Sequence, residues 1–194
     1  MPQKIKFDYE RAIGRATQLF WKNGYSNTSL RDLLGVMEIG EGSFYNTVKS
    51  KKKLYLQCLK HYNDTVGRRR LEALVSKTSV KEGIRLFFKV VLDELDDPRT
   101  PRVCLLAGSL SGDVLAQREL KHCVLKEMNV FVDVFTERLK FAVTQRELPQ
   151  HFNVEITAQL LVTYLQGLFR VIRVLNDRAH VERQVEMLLT GLGL

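Results

Sequence analysis

The stretch from Ser29 to Lys53, S-L-R-D-L-L-G-V-M-E-I-G-E-G-S-F-Y-N-T-V-K-S-K-K-K, leaves this chain few folds to adopt. Ser29 opens it with Asp32 three residues on, a capping-box pattern with Asp in place of Glu. Leu30, Leu33, Leu34 and Met37 recur at helical spacing, so a short helix runs from Leu30 to about Met37. The chain then breaks around Glu38 to Gly40, where Ile39 plugs the turn into the core. A second, very short helix begins near Glu41 and reaches about Thr47, with Phe44 and Val48 four apart on its buried side. Lys49, Lys51, Lys52 and Lys53 follow. Two short helices, a tight turn and a basic flank predict a helix-turn-helix, whose second helix enters a DNA major groove.

The charge distribution agrees. Net charge is +8 over 194 residues, but residues 1–60 hold 11 Lys and Arg against 5 Asp and Glu, leaving 19 against 17 for the rest. A positive field concentrated around the motif is the footprint of polyanion binding. At 45% hydrophobic the chain can bury a real core and is not disordered. Its 4 Pro and 12 Gly, with few alternating β-branched runs, favour an all-helical fold. The length suits a small head joined to a larger body. Cys58, Cys104 and Cys123 are an odd set without metal-ligand spacing, as free thiols in a reducing compartment would be. Cys58 and Cys104 sit in apolar surroundings that suggest inert core thiols. No apolar leader follows Lys4 and Lys6, and no run of about 18 apolar residues occurs. A soluble, cytoplasmic, nucleoid-associated protein with no membrane partner is expected.

Residues 1–7 read as a short basic arm. Asp8 is the expected cap of a first helix reaching Asn23, with Ala12, Ile13, Ala16, Leu19 and Phe20 on its apolar face, Trp21 packed at the edge, and Gly24 ending it in a left-handed conformation. Tyr25 packs back on the core. A long helix runs from Lys51 to about Lys77, and its triplet Arg68 to Arg70 reads as a solvated face. Ser79 and Glu82 form a second capping box for a helix ending near Leu95, with the acidic run Asp93, Glu94, Asp96 and Asp97 at its solvated end. Asp96-Asp97-Pro98 with Thr100-Pro101 is the clearest break. Val103 to Leu110 is apolar, its glycines allow close packing, and Gly112 and Asp113 break it. Helices are expected from about Leu115 to Thr144, Val154 to Leu175 (ending at Asn176-Asp177) and Ala179 to Leu192. The last two are too apolar for a small protein unless buried on more than one side.

Around the front of the second short helix lie Glu41, Gly42, Ser43, Tyr45, Asn46 and Thr47. Small and hydrogen-bonding residues there can approach base edges. Asn46 has the amide geometry that pairs with adenine, and Tyr45 can donate to a phosphate. Arg31 can meet another phosphate, Ser29 at the cap of the first short helix is a further contact candidate, and Lys51 begins the following helix, near its N-terminus, where backbone N–H groups also face anions. Glu41 either accepts from cytosine N4 or is a solvated charge at the helix start.

The segment from Ala12 to Leu59 resembles the DNA-binding head of the TetR/AcrR family of bacterial transcription regulators. The resemblance is carried by Ala16, Leu19 and Phe20, Gly24-Tyr25, Thr28-Ser29, Asp32-Leu33, the G-S-F-Y of Gly42 to Tyr45, and the S-K-K-K-L of Ser50 to Leu54. It is strong over the first third and elsewhere extends only to length and helical character. Two positions depart from it: Glu38-Ile39 replaces the usual Gly-Val of the turn, and Glu41 stands where a basic or small polar residue is common. A Glu at positive φ costs more than a Gly.

The resemblance implies an all-α protein, with a three-helix helix-turn-helix head over residues 1–58 and a helical effector-binding and dimerisation body over residues 59–194. It implies a homodimer paired through the last two helices (about 154–192), bound to double-stranded DNA as a repressor and released by a small-molecule effector. Pocket-wall candidates are Phe87, Phe88, Leu106, Phe131, Phe135 and Tyr164, each also readable as ordinary core, and their character suggests an apolar or aromatic effector. No enzyme is expected. His61, His122, His151 and His180 are scattered without ligand spacing, and no phosphate-binding glycine loop or strand-borne nucleophile occurs. Neither metal nor cofactor is implied.

Overall fold

The computed structural model describes residues 8–98, 100–175 and 177–194, with Arg173 described by its backbone alone. The basic arm expected over residues 1–7 and the expected helix end at Asn176 lie outside them. All regular structure among the described residues is helical. Asp8 caps α1 (Tyr9–Asn23) by accepting from the Arg11 N–H. Gly24 ends it at φ 80° and ψ 174°, not in the left-handed helical well but in a region that only glycine enters freely. Then come α2 (Leu30–Met37), α3 (Glu41–Thr47) and α4 (Lys51–Tyr62).

The long helix expected from Lys51 is present but not uniform. After α4 the chain winds one wider π-helical turn, Asn63–Gly67, before α5 (Arg68–Val75). The buried side of this helix passes through Cys58, Tyr62, Gly67, Arg70 and Leu74, so one step spans five residues where the others span three or four. The turn lies against α9. There the Asn63 amide donates to the Glu127 carbonyl (3.2 Å) and carboxylate (2.7 Å), and a side chain at Gly67 would stand 3.3 Å from the Phe131 ring.

The body comprises α6 (Val80–Asp96), the single turns α7 (Leu105–Gly108) and α8 (Gly112–Leu115), α9 (Arg118–Thr144), α10 (Val154–Leu175) and α11 (Arg178–Gly191). Gly112 and Asp113 therefore start a helical turn and do not merely break one. Gly108 has open space where a side chain would be, so it is not a close-packing position. That role belongs to Gly83, where a Cβ would come within 2.3 Å of the Leu74 carbonyl oxygen and hold α6 away from α5.

The second capping box is half as expected. The Ser79 hydroxyl accepts from the Glu82 N–H, but the carboxylate at this helix start is Glu147, arriving from the loop after α9. It accepts from the Ser79 hydroxyl (2.6 Å) and from the N–H groups of Val80 (2.8 Å) and Lys81 (3.0 Å). Burial pushes the Glu147 carboxyl up, and these bonds outweigh it to hold it below its usual range.

Charges expected on solvated surfaces are engaged. Arg70 of the basic triplet is fully buried, its Nε 2.7 Å from Glu94, which Arg69 also contacts at 2.7 Å from the solvent side. The guanidinium lies over the rings of Phe169 and Tyr62, and the Tyr62 hydroxyl donates to the Cys104 sulfur. Asp93 and Asp96 both pair with Arg178, fastening the end of α6 to the start of α11. Trp21 is buried more deeply than an edge residue, and its indole N–H donates to the Val103 carbonyl. One continuous cluster of buried side chains runs from Ala12 in α1 to Leu194, so head and body share a core.

Candidate nucleic-acid interface

The helix-turn-helix is set by its ends. The Ser29 hydroxyl accepts from the Asp32 N–H and the Asp32 side chain bonds back to Ser29, completing the predicted box and holding the Asp32 carboxyl below its usual range. Glu38 ends α2 at φ 56° and ψ 41°, the left-handed conformation glycine usually supplies. Its N–H still bonds the Gly35 carbonyl, and its carboxylate pairs with Arg15 at 2.6 Å, which ties the turn to α1. Ile39 is half-buried against the core, as the turn requires.

Gly40 starts α3 with no side-chain cap, and Phe44 and Val48 bury the back of that helix. Glu41, Gly42, Ser43, Tyr45, Asn46 and Thr47 are all exposed, Tyr45 to 46%. The structure therefore brings six of the nine candidate contact residues onto one short helix. Arg31 is exposed on α2. Ser29 is exposed too, but its hydroxyl is committed to Asp32 at 2.7 Å.

Lys51 is positioned differently from a free flank residue. Its ammonium sits 4.6 Å from the centre of the Tyr25 ring, half-buried, and that burial lowers its pKa. Tyr25 in turn packs on Phe20 and Tyr55, so the Lys51 charge is held by a rigid aromatic stack. Ahead of it, Lys49 takes a left-handed conformation (φ 74°), which closes the three-residue link between α3 and α4 and leaves its side chain exposed. Sequence reading missed this conformation and the Tyr25 buttress; no local signal marks either.

In the body, Phe87, Phe88, Phe131 and Phe135 are buried and in contact: Phe87 meets Phe88, Phe135 and Phe131 edge-to-face at 5.4, 5.0 and 6.4 Å between ring centres. Phe88 touches Tyr164 at 6.0 Å, whose buried hydroxyl has no hydrogen-bond partner. Leu106 is buried in α7. Phe88 also borders a concavity of about 400 Å³ between α6 and α11, with Leu92, Val185 and Leu189.

The same architecture recurs in solved structures. CifR, a TetR-family transcriptional regulator solved as a cysteine mutant with 26-base-pair operator DNA, superposes with a TM-score of 0.88 at 27% identity, over 98% of each chain. The chain is thus similar to TetR-family regulators over nearly its full length. An uncharacterized helix-turn-helix regulator of Bacillus subtilis, YezE, is 28% identical over 99% of this chain and 100% of its own. The Escherichia coli helix-turn-helix repressor ComR is 23% identical over 97% of this chain and 89% of its own. No family model matches the chain. Similarity over nearly the full length carries the TetR resemblance beyond the head, into the α6–α11 body where the sequence offered only length and helical character. Among the described residues no helix is long and apolar enough to cross a membrane.

Proposed function

We propose that the chain binds a palindromic operator as a homodimer, represses transcription there, and is released by a small apolar or aromatic molecule. The observation that carries this reading is the face of α3. A seven-residue helix that buries Phe44 and exposes every other residue has no structural use for that face. It suits a groove. Residues 1–58 act as the DNA-binding unit, and Lys51 and Arg31 set its register on phosphate while Ser43, Asn46 and Thr47 read bases.

Pairing is supported by α10. Ile156, Leu160, Thr163, Gly167, Val171 and Val174 succeed one another at steps of three and four and are all exposed, Val174 to 83%. A side chain at Gly167 would meet nothing within this chain. An apolar stripe with small residues at its middle fits a second copy packed closely along it. Two heads on one frame raise affinity through effective concentration. The effector reading rests on the Phe87, Phe88, Phe131, Phe135 cluster and the unpaired Tyr164 hydroxyl, which could bond a ligand acceptor. An effector works only through its different affinities for the DNA-competent and incompetent arrangements.

A mobility-shift titration with duplex from the region upstream of the chain's own gene, at rising salt, tests the reading. Specific retardation that weakens linearly in log salt is expected. Binding no tighter than to unrelated duplex at moderate salt overturns it.

A further inference from the structure

The DNA-facing side of the head is not bordered by solvent alone. Two contacts bring the α8–α9 corner of the body against it. The Ser26 hydroxyl, in the turn leading to α2, donates to Asp113 at the start of α8. In the first turn of α4, Lys52 pairs with Glu119 in the first turn of α9 at 2.8 Å. These two elements enclose a concavity of about 850 Å³ lined by Lys52, Arg118, Glu119, Lys121 and His122 among others. Arg118, Lys121 and His122 are exposed.

The charge in this concavity is one-sided. Glu119 is the acidic group lining it, and Lys52 already occupies it, which lowers the Glu119 pKa and raises that of Lys52. Lys53 stands close enough to act on Glu119 as well. Among the described residues Arg118, Lys121 and Lys53 make no ion pair, and through Lys52 the concavity adjoins the first turn of α4, which also carries Lys51. Apart from Glu119, which Lys52 already pairs, no acidic side chain among the described residues lines this concavity to offset their mutual repulsion. A polyanion lying along the head would offset it. We propose that Arg118 and Lys121 form a second phosphate-binding surface, contributed by the body, which holds the duplex backbone just beyond the segment that α3 occupies.

This inference rests on the DNA-binding reading above. It adds that the body touches DNA directly, so that part of the affinity depends on how the body is placed against the head. Contacts of this kind carry no base information; they add affinity uniformly and steepen the salt dependence, by about 0.9 in log–log slope for each phosphate engaged.

The test is the salt slope of binding to a mixed-sequence duplex long enough to pass beyond both heads. It compares the full-length protein with Arg118→Ala/Lys121→Ala and with the charge-keeping swap Arg118→Lys/Lys121→Arg. The alanine pair is expected to lower the slope by about 2 per head and weaken binding alike on every sequence, while the swap keeps the full-length slope. A duplex trimmed to the two recognised half-sites should bind the alanine pair and the full-length protein equally. An unchanged slope in the alanine pair, or an equal loss in the swap, overturns the inference and leaves the DNA reading standing. Failure of the unsubstituted protein to bind any duplex overturns the DNA reading and this one with it. Melting temperatures within a degree or two across the set are expected for these exposed positions; a drop confined to the alanine pair with no slope change counts against the inference.

Discussion

At the scale of the residue, position on the helix surface separates affinity from specificity. Lys51, held over Tyr25, is a fixed point charge near the expected DNA backbone. Lys51→Ala is expected to weaken binding by a similar factor on all sequences and to flatten the salt slope by about 0.9 per head. Asn46→Ala and Ser43→Ala touch the base-reading face and should change which sequences bind, by about 1–3 kcal/mol at the position each reads. Binding-site selection from a random pool distinguishes the two patterns. Inside the body, Arg70 and Glu94 are a buried pair whose separation leaves a charge without a partner. Arg70→Met is expected to destabilise by about 3–5 kcal/mol, toward the lower end because Arg69 still reaches Glu94. Arg70→Met with Glu94→Leu should recover most of that loss in urea unfolding. The thiols sort by burial: it pushes Cys58 up to about 12, and Cys123, only half-buried, is raised too. Cys123 is expected to alkylate first under mild conditions, as mass spectrometry of the labelled native protein would record.

At the scale of the element, helix ends and crossings do most of the positioning. The Glu147 carboxylate accepts from the start of α6 and its pKa is depressed, so its contribution is present above the ordinary carboxylate range and is lost as pH falls through its lowered folded value. Glu147→Gln should cost about 1 kcal/mol at neutral pH and leave a melting temperature less sensitive to acid than that of the parent. At the α5–α6 crossing there is no room at Gly83. Gly83→Ala must displace backbone, not a flexible side-chain tip, and is expected to destabilise by about 1–3 kcal/mol in thermal unfolding. These two sites also show where sequence was readable. Ser79 announced the start of α6 because capping is local. Glu147 gave no sign of its role, because it arrives from 67 residues away. Asp8, Ser29 and the α2 box were legible for the same local reason, and so were Phe44 and Val48. The burial of Arg70 and the hold of Tyr25 on Lys51 depend on pairings across the chain that periodicity does not encode.

At the scale of the whole molecule, the shared core makes head and body one mechanical object. The α10 stripe predicts how two such objects meet. Val171→Asp places a charge on the exposed seam without disturbing this chain's own core and is expected to give a monomer in sedimentation, with DNA binding weakened far more than a single head contact would account for. The π-helical turn between α4 and α5 has a different consequence. A wide turn holds one residue more than an α-helix needs over the same path, so it takes up a whole register step between the two faces it joins. Removing exposed Thr65 from it should therefore let the helix close as ordinary α while α3 keeps its bearing relative to the body. Removing exposed Gln57, within α4, offers no such slack and would swing everything before it by about 100° around the helix axis. The chain thus has one place where its length can change without changing where it points.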